Sequence, residues 1–215
     1  MNENTNTQPV TAQATGYRPK LSYYHANAKG TGSAISFELH PAHSSPEGNV
    51  EGSIFVSFAN QKTVGVRNGS ETVFPSFDWK NRIVLRLTMS DITQMLMVFR
   101  GMQESVCDGK GLFHRSSRYN TVIKFDHRIE PYPGYTLEVY RKSFDGTDQQ
   151  HAFISFSQAE AVGLSLAIEQ SMGVIAFGIP ELRARSASAA AEASLPLKMA
   201  AGAESLSDIA EVDPF

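Results

Sequence analysis

The sequence predicts an α+β protein in which two runs of strands, about four and then three, are each followed by a helix that covers them, between disordered N- and C-terminal tails. Three observations predict it. Apolar and polar residues alternate in short runs through the first half and again after residue 119. The period switches twice to that of an amphipathic helix, near residue 90 and after residue 157. Both ends of the chain lack hydrophobic periodicity altogether. With 215 residues and 41% apolar content, the chain suffices for one core of roughly 170 residues plus tails.

Residues 1–16 are rich in Asn, Thr and Gln and are read as a disordered segment ahead of a folded domain spanning 17–185. Ile35, Phe37 and Leu39 alternate with Ser36, Glu38 and His40, and the turn chemistry of Pro46-Glu47-Gly48-Asn49 follows. Ile54, Val56 and Phe58 alternate next. Asn68-Gly69 lies between Thr63–Arg67 and Glu71–Phe74, a spacing that suits a two-residue hairpin because both residues tolerate positive φ. Asp78-Trp79 leads into Ile83, Leu85 and Leu87, with Arg82, Arg86 and Thr88 on the opposite face. The first half is therefore expected to be a meander of about four strands.

Ser90 is the expected N-cap of the first helix. Asp91 complements the helix dipole, and Ile92, Met95, Leu96, Phe99 and Met102 fall at helical spacing, with an end expected between Gly101 and Gly109. A basic loop (Lys110, His114, Arg115, Arg118) precedes three strands, Tyr119–Arg128, Tyr135–Arg141 and His151–Phe156. Their connectors, Pro131-Tyr132-Pro133-Gly134 and Asp145-Gly146, have strong turn chemistry. Ser157-Gln158-Ala159-Glu160 is a capping box, and Ala161, Leu164, Ile168, Met172 and Ile175 form one face of the helix behind it. The Ala- and Ser-rich run Ser186–Ser194 opens a flexible linker (186–207), and the chain finishes in an acidic tip (208–215).

Charge is unevenly spread. The formal net charge is −3, yet residues 17–185 hold 18 of the 19 bases and 16 of the 22 acids, so a slightly basic body carries an acidic tail. A lone Cys107 excludes an internal disulfide and fits a reducing cytoplasm. Without a charged-then-apolar leader or a long apolar run, the expectation is a soluble, cytoplasmic protein with no membrane partner. Catalytic signatures are weak. Cys107, Asp108 and His114 include a thiol and a base but no oxyanion hole, and His40-Pro41-Ala42-His43 lacks further metal ligands. Gly109-Lys110-Gly111 lacks the rest of a phosphate-binding loop. No catalytic residue, metal or cofactor is expected.

Aromatic and basic residues interleave in three places: Phe77-Asp78-Trp79-Lys80-Asn81-Arg82, Phe113 through Arg115 and Arg118 to Tyr119, and Tyr140-Arg141-Lys142. Single-stranded nucleic acid is held by π faces on which bases stack and by cations that follow the backbone, so these clusters are the candidate site. Met97 and Val98 fall outside the apolar stripe of the first helix. Val162 and Leu166 fall outside that of the second, and these four are the candidate oligomer contacts.

A family resemblance runs through these segments, over roughly residues 24–178. Lys29-Gly30-Thr31-Gly32-Ser33-Ala34, Glu51 through Ala59, Phe77-Asp78-Trp79-Lys80 and Thr88-Met89-Ser90-Asp91-Ile92 come in the order and spacing of the Whirly family of single-stranded DNA-binding proteins. Lys124 to Pro131 resembles that family's strand running into a Glu-Pro turn, and Ser157–Glu160 resembles the start of its second helix. The resemblance implies two four-stranded sheets with helices, a homotetramer assembled through the helices, and single-stranded DNA as partner, with Lys29 added to the contact residues. Two departures stand out: Thr31 where the family's motif has a second Lys, and an insertion of about ten residues at the Asn68-Gly69 hairpin. The tip, with Asp208, Glu211, Asp213, Pro214 and Phe215, resembles the docking tail of bacterial single-stranded DNA-binding proteins. It implies recruitment of replication, recombination or repair proteins at the nucleoid. An RNA-binding or chaperone protein and a protein-interaction scaffold are the alternatives.

Overall fold

The computed structural model describes residues 20–131 and 133–179; the expected N-terminal segment, linker and acidic tip lie outside the described residues. The first sheet begins with β1 (Lys20–His25), a strand absent from the sequence expectation, paired antiparallel with β2 (Ser33–His40). A short hairpin follows, β3 (His43–Ser45) and β4 (Gly48–Val50), joined by Pro46 and Glu47. The long β5 (Ser53–Thr63) then pairs with β2 along one edge. A second hairpin, β6 (Val66–Asn68) and β7 (Glu71–Val73), confirms the expected turn with a shift of one residue. Asn68 pairs with Glu71, so Gly69 and Ser70 form the loop, and Gly69 takes the φ of +58° that favours glycine. β8 (Ser76–Phe77) and β9 (Ile83–Leu87) share the other edge of β5. β9 lies against residues 54–58, and β8 lies against Gln61 and Thr63. The expected four-stranded sheet is thus five strands in four positions.

Thr88, not Ser90, caps α1 (Met89–Phe99). Its hydroxyl accepts from the Asp91 N–H, and the Asp91 carboxylate accepts from the Thr88 N–H at 2.8 Å. The capping box is decided by the three-residue spacing from Thr88 to Asp91, which Ser90 cannot satisfy. Gly101, at φ +67°, turns the chain away just after the helix and leaves Met102 exposed rather than on the apolar face.

The second sheet is β10 (Leu112–Arg115), β11 (Tyr119–Arg128), β12 (Gly134–Ser143) and β13 (Gln149–Ser157), antiparallel in that order. Part of the expected basic loop is therefore the edge strand β10. Its His114 points inward and meets the Asp91 carboxylate at 3.1 Å, tying the sheet edge to the start of α1. Burial works to raise the Asp91 carboxyl, but hydrogen bonds from His114 and Thr88 outweigh it and hold the group below its usual value. α2 (Gln158–Phe177) follows with the expected capping box from Ser157 to Glu160.

The inner faces of both sheets meet the helices in one core. Ile35, Phe58, Ile123, Phe125, Ile154 and Phe156 are among its fully buried side chains, each contributing about 1.5–3 kcal/mol by leaving water. Val98 is part of that core, at 0% exposure. The apolar stripe of α1 is wider than the sequence period suggested, and Val98 is not available as an oligomer contact. Ala42 and Gly52 donate backbone N–H groups to the Val174 and Ile175 carbonyls, both at 3.2 Å, and so satisfy the last turn of α2. The approach is close enough that a Cβ on Gly52 would lie 2.6 Å from the Ile175 backbone. By length and composition α2 could cross a membrane, with a mean hydropathy of 1.2. Here Ala161, Leu164, Ile168 and Ile175 face the core, as in a helix that covers a sheet.

Candidate nucleic-acid interface

With one face of each sheet committed to the core, strand alternation turns the remaining side chains onto two outer faces. On the first sheet, Ser22, Ser36, Ser57 and Val84 stand in one row across β1, β2, β5 and β9. Small side chains along this row make the floor of a trough of roughly 540 Å³. One end is walled by Tyr24, whose ring lies 5.6 Å from Phe77 and 6.2 Å from Trp79, with Arg82 held by a 2.9 Å bond to the Trp79 carbonyl. Toward the other end, Lys20, Glu38 and Phe55 form the next row, and the His40 ring packs 4.3 Å from Phe55. Lys20 binds Glu38 at 2.9 Å and, with His40, holds that carboxyl below its usual value.

The second sheet presents a denser aromatic surface. Phe113, Val122, Tyr140 and His151 form a row across all four strands, followed by Lys124, Glu138 and Phe153. Phe113 is 61% exposed, an orientation that solvation alone does not favour. The Tyr140 and His151 rings stack at 4.6 Å and 18°. Lys124 lies over the Tyr140 ring at 5.8 Å, and Arg128 lies over Phe153 at 5.9 Å. Beneath them Glu138 Oε1 accepts the Tyr140 hydroxyl at 2.5 Å and meets His151 Nε2 at 2.8 Å. Burial would raise the Glu138 carboxyl, but these bonds and Lys124 lower it, so it is a carboxylate at neutral pH.

Between the two faces lies the β1–β2 loop. Asn27 Oδ1 accepts the N–H groups of Lys29 and Thr31 at 3.0 and 3.1 Å, and Gln61 Oε1 accepts those of Asn27 and Gly32 at 2.9 and 3.1 Å. These bonds fix the loop against His151 and Phe153 of β13, and the Ser33 hydroxyl joins the Phe153 carbonyl at 2.6 Å. Thr31 spends its hydroxyl on Asn27, so it orders the loop where a second lysine would add charge.

The structure sorts the sequence-selected residues into groups. Phe77, Trp79 and Arg82 sit together on the first face with Lys80 exposed beside them. Phe113, Tyr140 and Lys142 share the second face, and Arg115 reaches from its edge over Phe144 at 5.2 Å. Arg118 lies over the Tyr119 ring at 5.8 Å. Tyr119 and Arg141 are engaged elsewhere. The Tyr119 hydroxyl donates to Asp148 at 3.0 Å, and Arg141 bonds Thr121 and the Val84 carbonyl, tying the second sheet to β9 of the first. Burial draws the Arg141 pKa down, as expected for a structural guanidinium. Sequence reading missed Lys20, Tyr24, His40 and Phe55 on one face and Lys124, Arg128, His151 and Phe153 on the other. The signal that finds them is register, because each stands opposite a residue of the same face on another strand. Among the described residues no three His, Cys, Asp or Glu side chains are grouped to hold a metal ion. His114 is turned to Asp91 and supplies no base to Cys107.

No protein-family model matches this chain, and no curated sequence matches it. Solved structures do share its architecture. WHY1 from Arabidopsis thaliana superposes with a TM-score of 0.58 at 16% identity, over 86% of this chain and 98% of that one. WHY3 from the same plant gives 0.56 at 17%, over 82% and 98%. The plant transcriptional regulator PBF-2 gives 0.55 at 17%, over 74% and 83%. The fold is therefore Whirly-like.

Proposed function

We propose that this chain is a non-catalytic single-stranded DNA-binding protein that takes the strand across its outer sheet faces. The observation that carries the reading is the second face, where the rings of Phe113, Tyr140 and Phe153 reach the surface with Lys124, Arg128 and Lys142 among them, Arg128 resting over Phe153. Bases stack on such rings with little regard to identity, while cations at the rim follow the phosphates, so binding is broad in sequence and steep in salt. The fold shared with Whirly proteins supports the same reading. A flat, open face of this kind does not suit the rigid backbone of duplex DNA, whose bases are already stacked.

Matched oligo-dT, oligo-U and duplex DNA titrated against the protein over a salt series test the proposal. The expected result is tight oligo-dT binding that weakens steeply with salt, and weak duplex binding. No strand binding, or equal affinity for duplex, overturns it. Oligo-U bound more tightly than oligo-dT favours the RNA reading.

Assembly and recruitment complete the proposal. Val162 and Leu166, 58% and 56% exposed one turn apart on α2, with Phe177 further along the same side beyond Glu169, give the helix an interrupted apolar stripe suited to a homotetramer contact. Asp208, Glu211, Asp213, Pro214 and Phe215 offer a ring and carboxylates to an apolar pocket rimmed by cations on genome-maintenance proteins. A truncation lacking Val212 to Phe215 is expected to keep strand binding and lose such partners in pull-downs. Recovery of the same partners by both proteins would reduce the tip to a solubilising charge.

A further inference from the structure

The second face contains polar groups that stacking and phosphate attraction do not use. Lys124 faces Glu138 across β11 and β12, and Asp126 faces Thr136 one row further along. Alternation places all four on the outer face. Thr136 is 4% exposed, and its hydroxyl has no hydrogen-bond partner. A buried hydroxyl in that state is destabilising, so it is a group that a valine would replace at no loss to the fold. Burial raises the Asp126 carboxyl, against the pull of Lys124 and Arg128. Both hydrogen bonds to Glu138 engage Oε1, which leaves Oε2 with acceptor capacity.

Arg128 explains why this patch is closed. It stands opposite Gly134, while the ring it covers, Phe153, stands opposite Glu138. A side chain running from the first of these rows on β11 to the second on β13 crosses β12 at the row between, which is Thr136. The guanidinium thus lies where a base would stack on Phe153, and its stem passes over the unpaired hydroxyl. A phosphate arriving at the rim offers Arg128 a stronger, charge-assisted partner than the ring. Its departure uncovers a stacking ring beside a row of acceptors.

Resting on single-strand binding as proposed above, we infer that Asp126, Thr136 and Glu138 form a base-reading subsite over Phe153 that selects guanine above thymine or uracil. Guanine presents N1–H and N2–H₂ side by side, a pair of donors that matches two carboxylate oxygens. Thymine and uracil offer a single N–H between two carbonyl oxygens, which meet the carboxylates with like charge. A protein that otherwise binds any strand then acquires a register on strands containing guanine.

The test uses the full chain and short oligothymidines carrying one central guanosine or inosine, compared with the all-thymidine parent by fluorescence anisotropy at one salt concentration. The guanosine strand is expected to bind about tenfold more tightly than the parent, and inosine, which lacks the N2 amine, to lose most of that gain. Thr136→Val and Glu138→Gln should each shrink the preference while leaving affinity for the parent nearly unchanged. Thr136→Val should also not lower the unfolding temperature, which separates loss of reading from loss of fold. Equal binding of guanosine and thymidine strands, or a preference that survives both variants, overturns the subsite and leaves strand binding standing. Failure to bind any of the strands overturns the functional reading itself.

Discussion

Replacing Tyr140 and Phe153 together by alanine is expected to weaken binding of single-stranded DNA by at least about thirtyfold. Each ring supplies one stacking surface, and loss of a base–aromatic stack costs about 1–3 kcal/mol, so two lost stacks remove roughly 2 kcal/mol or more. Both rings lie on the solvent side of the second sheet, away from the core that holds the fold together. The variant should therefore unfold at nearly the wild-type temperature. A Tyr140→Phe control isolates stacking from hydrogen bonding, because it keeps the ring and loses only the bond to Glu138. Its affinity should stay close to wild type. The salt slope of the double alanine variant should also be unchanged, since no cation has been removed and the same counterions are released. Near-wild-type affinity in the double variant would remove the second face from the site and turn attention to the trough between Tyr24, Trp79 and Phe55.

Much of the fold is legible in the sequence because it depends on local period. The alternation in 35–39, 54–58 and 119–128, the capping box at Ser157 and the hairpin at Asn68-Gly69 each follow from a rule operating over a few residues. What escaped depends on partners far away in sequence. β1 is hard to see because Lys20 to His25 has only Leu21 and Tyr23 as inward apolar residues, its third inward residue His25 being turned to Glu160, and β10 reads as a loop because its inward His114 is polar and finds Asp91 only in the folded chain. Arg141 reads in the sequence as a cation beside a stacking ring, one of the candidate strand contacts. Alternation puts it on the inner side, where Thr121 and the Val84 carbonyl receive it. The candidate site shows the same limit. Tyr140 was visible as an aromatic beside two bases, but His151, Phe153 and Lys124 belong to the same surface only by register across β11, β12 and β13. A face is a two-dimensional object, and clusters along one strand sample a single line of it.

Helix assembly gives the second large expected effect, and the corrected burial of α1 decides which residue can report it. Polar substitution at Val98 would unfold the chain, because that side chain is wholly inside the core, so the variant would say nothing about association. Leu166 on α2 is suitable. It is more than half exposed, lies one turn from Val162, and shares its stripe with Phe177. If the stripe is a subunit contact, Leu166→Glu places an unpaired charge in each copy of an apolar interface, a penalty of several kcal/mol that should dissociate the assembly into folded monomers. If the stripe faces water, the same substitution changes stability by about 0.5 kcal/mol or less and leaves the mass unchanged. Light scattering on wild type and variant separates these outcomes, and a monomeric wild type would sink the tetramer outright. Dissociation should also be felt at the sheets. A long strand touches several protomers at once and gains from their effective concentration, whereas a strand of a few nucleotides meets only one. Leu166→Glu is therefore expected to weaken binding of long single strands far more than short ones, a split that damage to the stacking face itself would not produce.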